Sequence, residues 1–378
     1  MATLGCGVYE VWFKTRGGNN FVCRARNLVS FNYARILNEV SEAKVTVALN
    51  GVDGDCCDCV GNINPWEHEI AIFRDGVEVW CGPVVNAEIN LTDLTATFDC
   101  KDLFTWTDNR WIEVFNADYN AEDVDASEVF QWILSHVYNK DPWNMTWSTY
   151  GQTGVVLSKF YPAYDPGERW GGTYPIAGEE LRALSRSAVD FTCIRRHLIC
   201  GDLSTNPPVE LPLLIDRHWA LAPRIVISGG TMATEVGVAG GNGGTMGWAD
   251  DQIWIEGPND EYRQRFGLLQ RFTVEATLDE ENTSFAPNAV AQLAYGMREL
   301  KKAPYVYVDG GELSKDAPVD FNTLIPGAVI RIALSQTCRT VEGNYRLSGV
   351  TVSSNGADET VALQLTPEGA VGLRGSGP

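Results

Sequence analysis

From the start of the chain to about residue 112 the apolar positions recur every second residue. Val45, Val47 and Leu49 alternate with Lys44, Thr46 and Ala48, the pattern of a strand with one buried face. Glu69-Ile70-Ala71-Ile72-Phe73 and Val77-Glu78-Val79-Trp80 flank Arg74-Asp75-Gly76, and an Asp-Gly pair supplies the positive φ angles of a tight hairpin turn. The prediction is a hairpin tip with Gly76 at positive φ. Leu94, Ala96, Phe98 and Cys100 share one face opposite Thr95, Thr97 and Asp99. Residues 1–112 therefore read as a β-barrel or sandwich.

Between 113 and 215 the period changes to 3.6. Asp125-Ala126-Ser127-Glu128 has capping-box spacing, and Val129, Phe130, Ile133 and Val137 form the stripe of a helix that stops before Pro142. A second helix is expected over Glu179 to Val189, with Leu181, Leu184 and Ala188 inward and Glu179 and Glu180 at its positive end. After residue 216 strand patterns return. They are interrupted by the glycine-rich run Gly237 to Gly247, read as a mobile arm or hairpin tip, and by a helix around Ala289, Leu293, Met297 and Leu300. Arg346 to Ser353 and Val361, Leu363, Leu365 read as strands joined through Asn355-Gly356, and the terminal Gly372 to Pro378 is expected to be mobile.

Composition narrows the function. Hydrophobic residues make up 44% and charged ones 21% of 378 residues, which is an ordered chain of two or three folding units and not a disordered one. Its 29 Lys plus Arg stand against 49 Asp plus Glu, a net charge of −20, with no basic stripe, so specific nucleic-acid binding is not expected. No stretch approaches the roughly 20 apolar residues of a membrane span, and the start lacks signal-peptide regions. Folding in the cytoplasm follows, and with it the expectation that all or nearly all ten cysteines are free thiols packed as small hydrophobes.

The motifs of hydrolases, zinc proteases and phosphate-binding loops are absent. His68, His136, His197 and His218 fall in four separate elements without ligand spacing, so no catalytic, cofactor or metal residues are assigned. Cys56 and Cys59 have Cys-x-x-Cys spacing and, with Cys57, Cys81 or Cys100, could complete a soft metal site. The plainer reading is loop thiols. Eight aromatic residues from Trp143 to Tyr174 read either as rings pinning a long loop, favoured on burial grounds, or as a stacking platform for cell-wall sugar.

Five segments together resemble a known family. ILNEVSEAKVTV from Ile36, INPWEHEIAIFRDGVEVWCGPV from Ile63 and DLFTWTDNRW from Asp102 are similar to the opening domain of minor tail proteins of siphophages infecting actinobacteria; TLIPGAVIRIAL from Thr323 and YRLSGVTVSS from Tyr345 resemble their second barrel. The resemblance implies a tail-hub (baseplate hub-like) architecture, α+β but mainly β. Two β-barrel-type domains, 1–112 and 216–378, are expected on either side of a small α/β insertion, 113–215. It further implies a homotrimer in the virion tail tip, assembled in the host cytoplasm. Such a ring joins the tail tube, with its distal tail and tape-measure proteins, to tip or fibre proteins, and carries no active site. The alternative is a cell-wall-binding or cell-wall-cleaving tail protein. A ring of three chains would carry about −60, expected in large part on its inner wall or else as a solubilising outer surface, while the acidic stretch Asp118 to Glu128 is expected to face outward in either case.

Overall fold

The structure is a computed structural model. It describes residues 4–49, 59–114, 119–161, 174–221, 223–228, 233–240, 252–256, 264, 267–275, 305–335, 341–355 and 358–367. The first β region contains β1 (Tyr9–Thr15), β2 (Phe21–Arg24), β3 (Leu28–Ile36), β4 (Glu42–Ala48), β5 (His68–Arg74), β6 (Val77–Asn90) and β7 (Thr95–Lys101). The insertion holds β8 (Tyr119–Asp125), α1 (Ala126–Lys140), β9 (Thr146–Tyr150), β10 (Val156–Tyr161), α2 (Ala177–Ser187), β11 (Asp190–Ile194) and β12 (His197–Gly201). The last region runs through β13 (Glu210–Ile215), β14 (Trp219–Leu221), β15 (Ile225–Ser228), β16 (Glu235–Gly240), β17 (Gln252–Glu256), β18 (Gln270–Glu275), β19 (Tyr305–Val308), β20 (Gly310–Leu313), β21 (Val329–Leu334), β22 (Val341–Ser354) and β23 (Glu359–Pro367).

The strong sequence patterns fold as read. β4 buries Ala43, Val45 and Val47 on one side. β5 and β6 pair antiparallel around Asp75 and Gly76, whose φ angles are 52° and 79°, so the turn is left-handed at both central residues as a two-residue hairpin needs. β7 buries Ala96, Phe98 and Cys100, but Leu94 lies outside the strand, exposed and at φ 49°. The Asp125 side chain accepts from the Ser127 amide at 2.9 Å and caps α1, whose stripe residues Val129, Phe130, Ile133 and Val137 are fully buried. β22 and β23 pair as expected; their connection spans 355–358, two residues more than an Asn-Gly turn.

Two expectations change. Gly237 to Gly240 belong to β16, hydrogen-bonded to β17 and β18, and are strand residues; the following glycines, the helix around Leu293 and the C-terminal tail lie outside the described residues. The aromatic stretch is also no continuous loop, because Trp147 and Tyr150 sit in β9 and Phe160 and Tyr161 in β10.

One 13-stranded sheet, ordered β14-β20-β23-β22-β3-β4-β7-β6-β5-β1-β2 with β21 beside β22 and β13 beside β21, takes strands from both ends of the chain. The bridge is the antiparallel pairing of β3 with β22, from Gly349 opposite Ile36 to Ser354 opposite Phe31. A single core follows, in which Phe13, Val45, Ile70, Ile72 and Phe98 meet Phe321, Ile330, Leu347, Val352 and Leu363. The insertion has its own core around Phe130, Ile133, Leu181 and Phe191, which also takes in Phe104, Ala71 of β5 and Cys81 of β6.

Long strands manage the change of neighbour. β6 pairs with β5 up to Pro83 and with β7 from Val84, and β22 pairs with β21 up to Arg346 and with β3 from Gly349. At the β6 crossover the Lys101 carbonyl oxygen would lie 1.8 Å from a Cβ on Gly82, so only glycine fits. Gly82→Ala should therefore cost about 3 kcal/mol or more, whereas Gly76→Ala, strained only by its positive φ with open space around it, should cost about 1 kcal/mol. Urea unfolding of both variants checks the order, and a Gly82→Ala protein as stable as Gly76→Ala would contradict the crossover geometry.

Candidate functional site

The most concentrated chemistry in the molecule is a buried ionic seam between the two β regions. Arg74, the last residue of β5, donates from Nε to Glu359 Oε1 at 2.8 Å and from Nη2 to Oε2 at 2.9 Å, with both side chains 2% exposed. The Tyr9 hydroxyl and the Gly7 amide also donate to the Glu359 carboxylate, and the Arg74 guanidinium lies 4.4 Å from the Phe321 ring centre. Burial opposes the charge on Glu359, but hydrogen bonds from Arg74 and Tyr9 hold its carboxyl below the usual range. Nearby, Arg35 donates to the carbonyls of Leu324 and Val79 at 3.1 and 2.8 Å; burial lowers its pKa and pushes the Tyr33 phenol up to about 12.

A second polar set fastens the insertion to the sheet. Asn38, in the β3–β4 turn, donates to Asp190 Oδ1 at 3.0 Å and accepts from the Phe191 amide at 2.7 Å; Arg346 of β22 pairs with the other Asp190 oxygen. Glu69 of β5 accepts from the Gly17 amide at 2.8 Å and pairs with Arg196. Arg182 of α2 makes two bonds to Asp108, at 2.7 and 2.9 Å, and a third to Glu39. These carboxylates are engaged by cations or amides and hold elements together.

Asp102 is the other perturbed acid. Burial pushes its carboxyl up to about 7, against the amides of Ser41 and Phe104, which donate to it at 2.7 and 3.0 Å. It caps the 3-10 turn Leu103–Asn109. That is an anchoring role.

The residues weighed from sequence also resolve into structural partners. His68 Nδ1 accepts from the Asn64 amide, His136 Nε2 meets the Glu113 carbonyl, His197 lies between the hydroxyls of Thr146 and Ser148, and His218 Nδ1 accepts from the Ile215 amide. Among the described residues no group of three or more His, Cys, Asp or Glu side chains could hold a metal. Cys59 instead forms a disulfide with Cys23, Cα to Cα 5.9 Å, which corrects the expectation for these two thiols; Cys6, Cys81, Cys100, Cys193 and Cys200 are free and all but Cys6 buried. Cys56 and Cys57 lie outside the described residues. Trp143 is fully buried, and Tyr119, Trp132 and Tyr161 stack on one another with His136 stacked on Trp132. Within the stretch Tyr150 and Phe160 are exposed, and Tyr164 and Trp170 lie outside the described residues.

What remains open is surface. The outer face of β22, β3, β4, β7 and β6 carries two shallow depressions of about 370 and 590 Å³ lined by Asn32, Lys44, Asn86, Asp99, Thr351 and Ser353, among others. Lys44 pairs with Asp99 and Lys101 approaches Glu42 across it. The sheet ends at β2, with Phe21 and Val22 exposed, and at β14, with Leu221 exposed. In Glu122, Asp123 and Glu128 the acidic stretch faces solvent, while Asp125 is spent on the α1 cap.

No known family profile matches the sequence, and no curated protein matches it. Solved structures do match. The 43 kDa tail protein of prophage MuSo2 from Shewanella oneidensis superposes with a TM-score of 0.61 at 13% identity, covering 96% of this chain and 99% of that one. A tail protein from Neisseria meningitidis MC58 gives 0.57 at 11% identity, covering 96% and 97%. Prophage tail protein gp18 from Listeria monocytogenes EGD-e gives 0.54 at 12%, covering 94% of each. The chain therefore has the mainly β fold of phage tail proteins, shared over almost its whole length.

The seam makes a quantitative prediction. Arg74→Met strands the Glu359 carboxylate in the core and should cost about 3–5 kcal/mol. Because the folded pKa of Glu359 is depressed, its contribution is present above the ordinary glutamate range and is lost as pH falls through the lower folded value. Urea midpoints from pH 7 down to pH 3 should therefore fall more steeply for the parent than for Arg74→Met/Glu359→Met. Equal slopes would remove the seam from the acid response.

Proposed function

We propose that the chain is a non-enzymatic structural component of a phage tail, a tail hub that assembles as a homotrimeric ring in the virion tail tip. The observation that carries this reading is the fold match to a tail protein over 96% of this chain and 99% of the other. The polar chemistry agrees with it, since the buried acids of the seam and of the insertion contact are held by structural partners. Such a ring would join the tail tube to tip or fibre proteins. In the ring each chain contributes 1–112 and 216–378 as two β units around the axis, with 113–215 as the insertion, and head-to-tail contacts close after three copies.

The resemblance of the quoted segments to minor tail proteins of actinobacterial siphophages adds the virus class and the host group to the proposal. Three chains of −20 give about −60, a load that close packing tolerates where acidic groups stay hydrated or meet basic partner surfaces. A wide lumen is one such place, and acidic walls there would let phosphates slide past without binding.

Sedimentation velocity on the purified chain at micromolar concentration, followed by imaging of the particles, tests the proposal. A threefold ring with an acidic lumen is expected. A strictly monomeric chain, a symmetry other than threefold, or a neutral or basic lumen would each sink the corresponding part.

A further inference from the structure

The disulfide joins two short and weakly held pieces of backbone. β2 has four residues and is the terminal strand of the sheet, hydrogen-bonded to β1 alone through a register that shifts between Phe13 and Lys14. Its partner cysteine opens the turn Cys59–Asn62, which closes through a 3.2 Å bond from the Asn62 amide to the Cys59 carbonyl. The bond spans 36 residues and encloses β3 and β4, the strands through which the first β region reaches β22.

Of the other described cysteines, Cys6 is exposed and has no cysteine bonded to it, and the remaining four differ in kind. Cys81, Cys100 and Cys193 are buried with their thiols pushed well up by burial, and burial raises Cys200 to about 11, so they are poor thiolates and inert. Cys23 and Cys59 are only half-buried, and Cys23 directly follows exposed Phe21 and Val22. A small reagent can reach this pair and not those four.

We propose that Cys23 and Cys59 form an exchange site for low-molecular-weight disulfides, a staple that is open while the chain is in a reducing compartment and closed once it leaves. One protein thiolate attacks a sulfur of the small disulfide and expels one small thiol. The second protein thiolate then attacks the resulting mixed disulfide and expels the other. The two protein thiols lose two electrons and two protons, and the small disulfide is reduced to two thiols, so the step is balanced without a metal or an enzyme. Closing it shortens the free loop available to the edge strand and restrains β2.

The full chain, made in a reducing cytoplasm and alkylated at lysis, is compared with the same protein exposed to oxidised glutathione. Peptide mass spectrometry should find Cys23 and Cys59 alkylated in the first sample and linked to each other in the second. Hydrogen exchange of the 21–24 amides should slow by roughly tenfold or more on oxidation, as local opening is suppressed. Cys23→Ala/Cys59→Ala should fold normally by circular dichroism yet show no such slowing. The proposal is overturned if the pair is already linked at lysis, if oxidation leaves it as two thiols, if Cys23 links to a different cysteine such as exposed Cys6, Cys56 or Cys57, or if β2 exchanges at the same rate in both states.

Discussion

The strand β5 is packed on both faces, and the architecture follows from that constraint. Its alternate side chains Ile70, Ile72 and Arg74 enter the β core or the seam, while Glu69 and Ala71 meet the insertion. A strand buried on both sides has no solvent face on which to slip, and a one-residue shift would exchange every contact with its opposite. Its register therefore fixes the β core, the seat of the insertion and the position of Arg74 at once. The insertion is in this sense a second layer on the sheet and not a pendant lobe.

Charge is used sparingly but in places that matter. Arg74 with Glu359, Arg346 with Asp190 and Arg196 with Glu69 each connect segments more than a hundred residues apart. Isolated buried pairs contribute little net stability compared with apolar packing, but breaking one leaves a charge without water or partner. What they impose is choice: of the ways strands from the two ends could meet, few bring these partners together.

Much of the local structure was legible in the sequence. The Asp75-Gly76 hairpin, the Asp125-capped helix and the stripe of α2 depend on contacts within a few residues, which spacing records directly. The joining of β3 to β22 was not legible as pairing, because alternation shows that a strand has a buried face and not which strand lies beside it. Arg74 and Glu359 gave no signal for the same reason; 285 residues separate them. Cys59 was grouped with Cys56 by spacing, while its partner Cys23 lies on a strand brought near only by folding. The glycines of β16 looked like a loop because strand hydrogen bonds need no side chain. The resemblance of the quoted segments reached the mainly β tail-protein fold where the pattern alone stopped.

The β3–β22 bridge also sets the order of events during synthesis. β3 is complete when only a tenth or so of the chain has been made, but the strand that covers its outer edge comes more than 300 residues later. At about 5–20 residues per second, that edge stays unpaired for tens of seconds on the ribosome. An uncovered strand edge is a template for neighbouring nascent chains. Yield in the cell should then be limited by how long the first β region waits and by how crowded the polysome is, more than by the stability of the finished molecule.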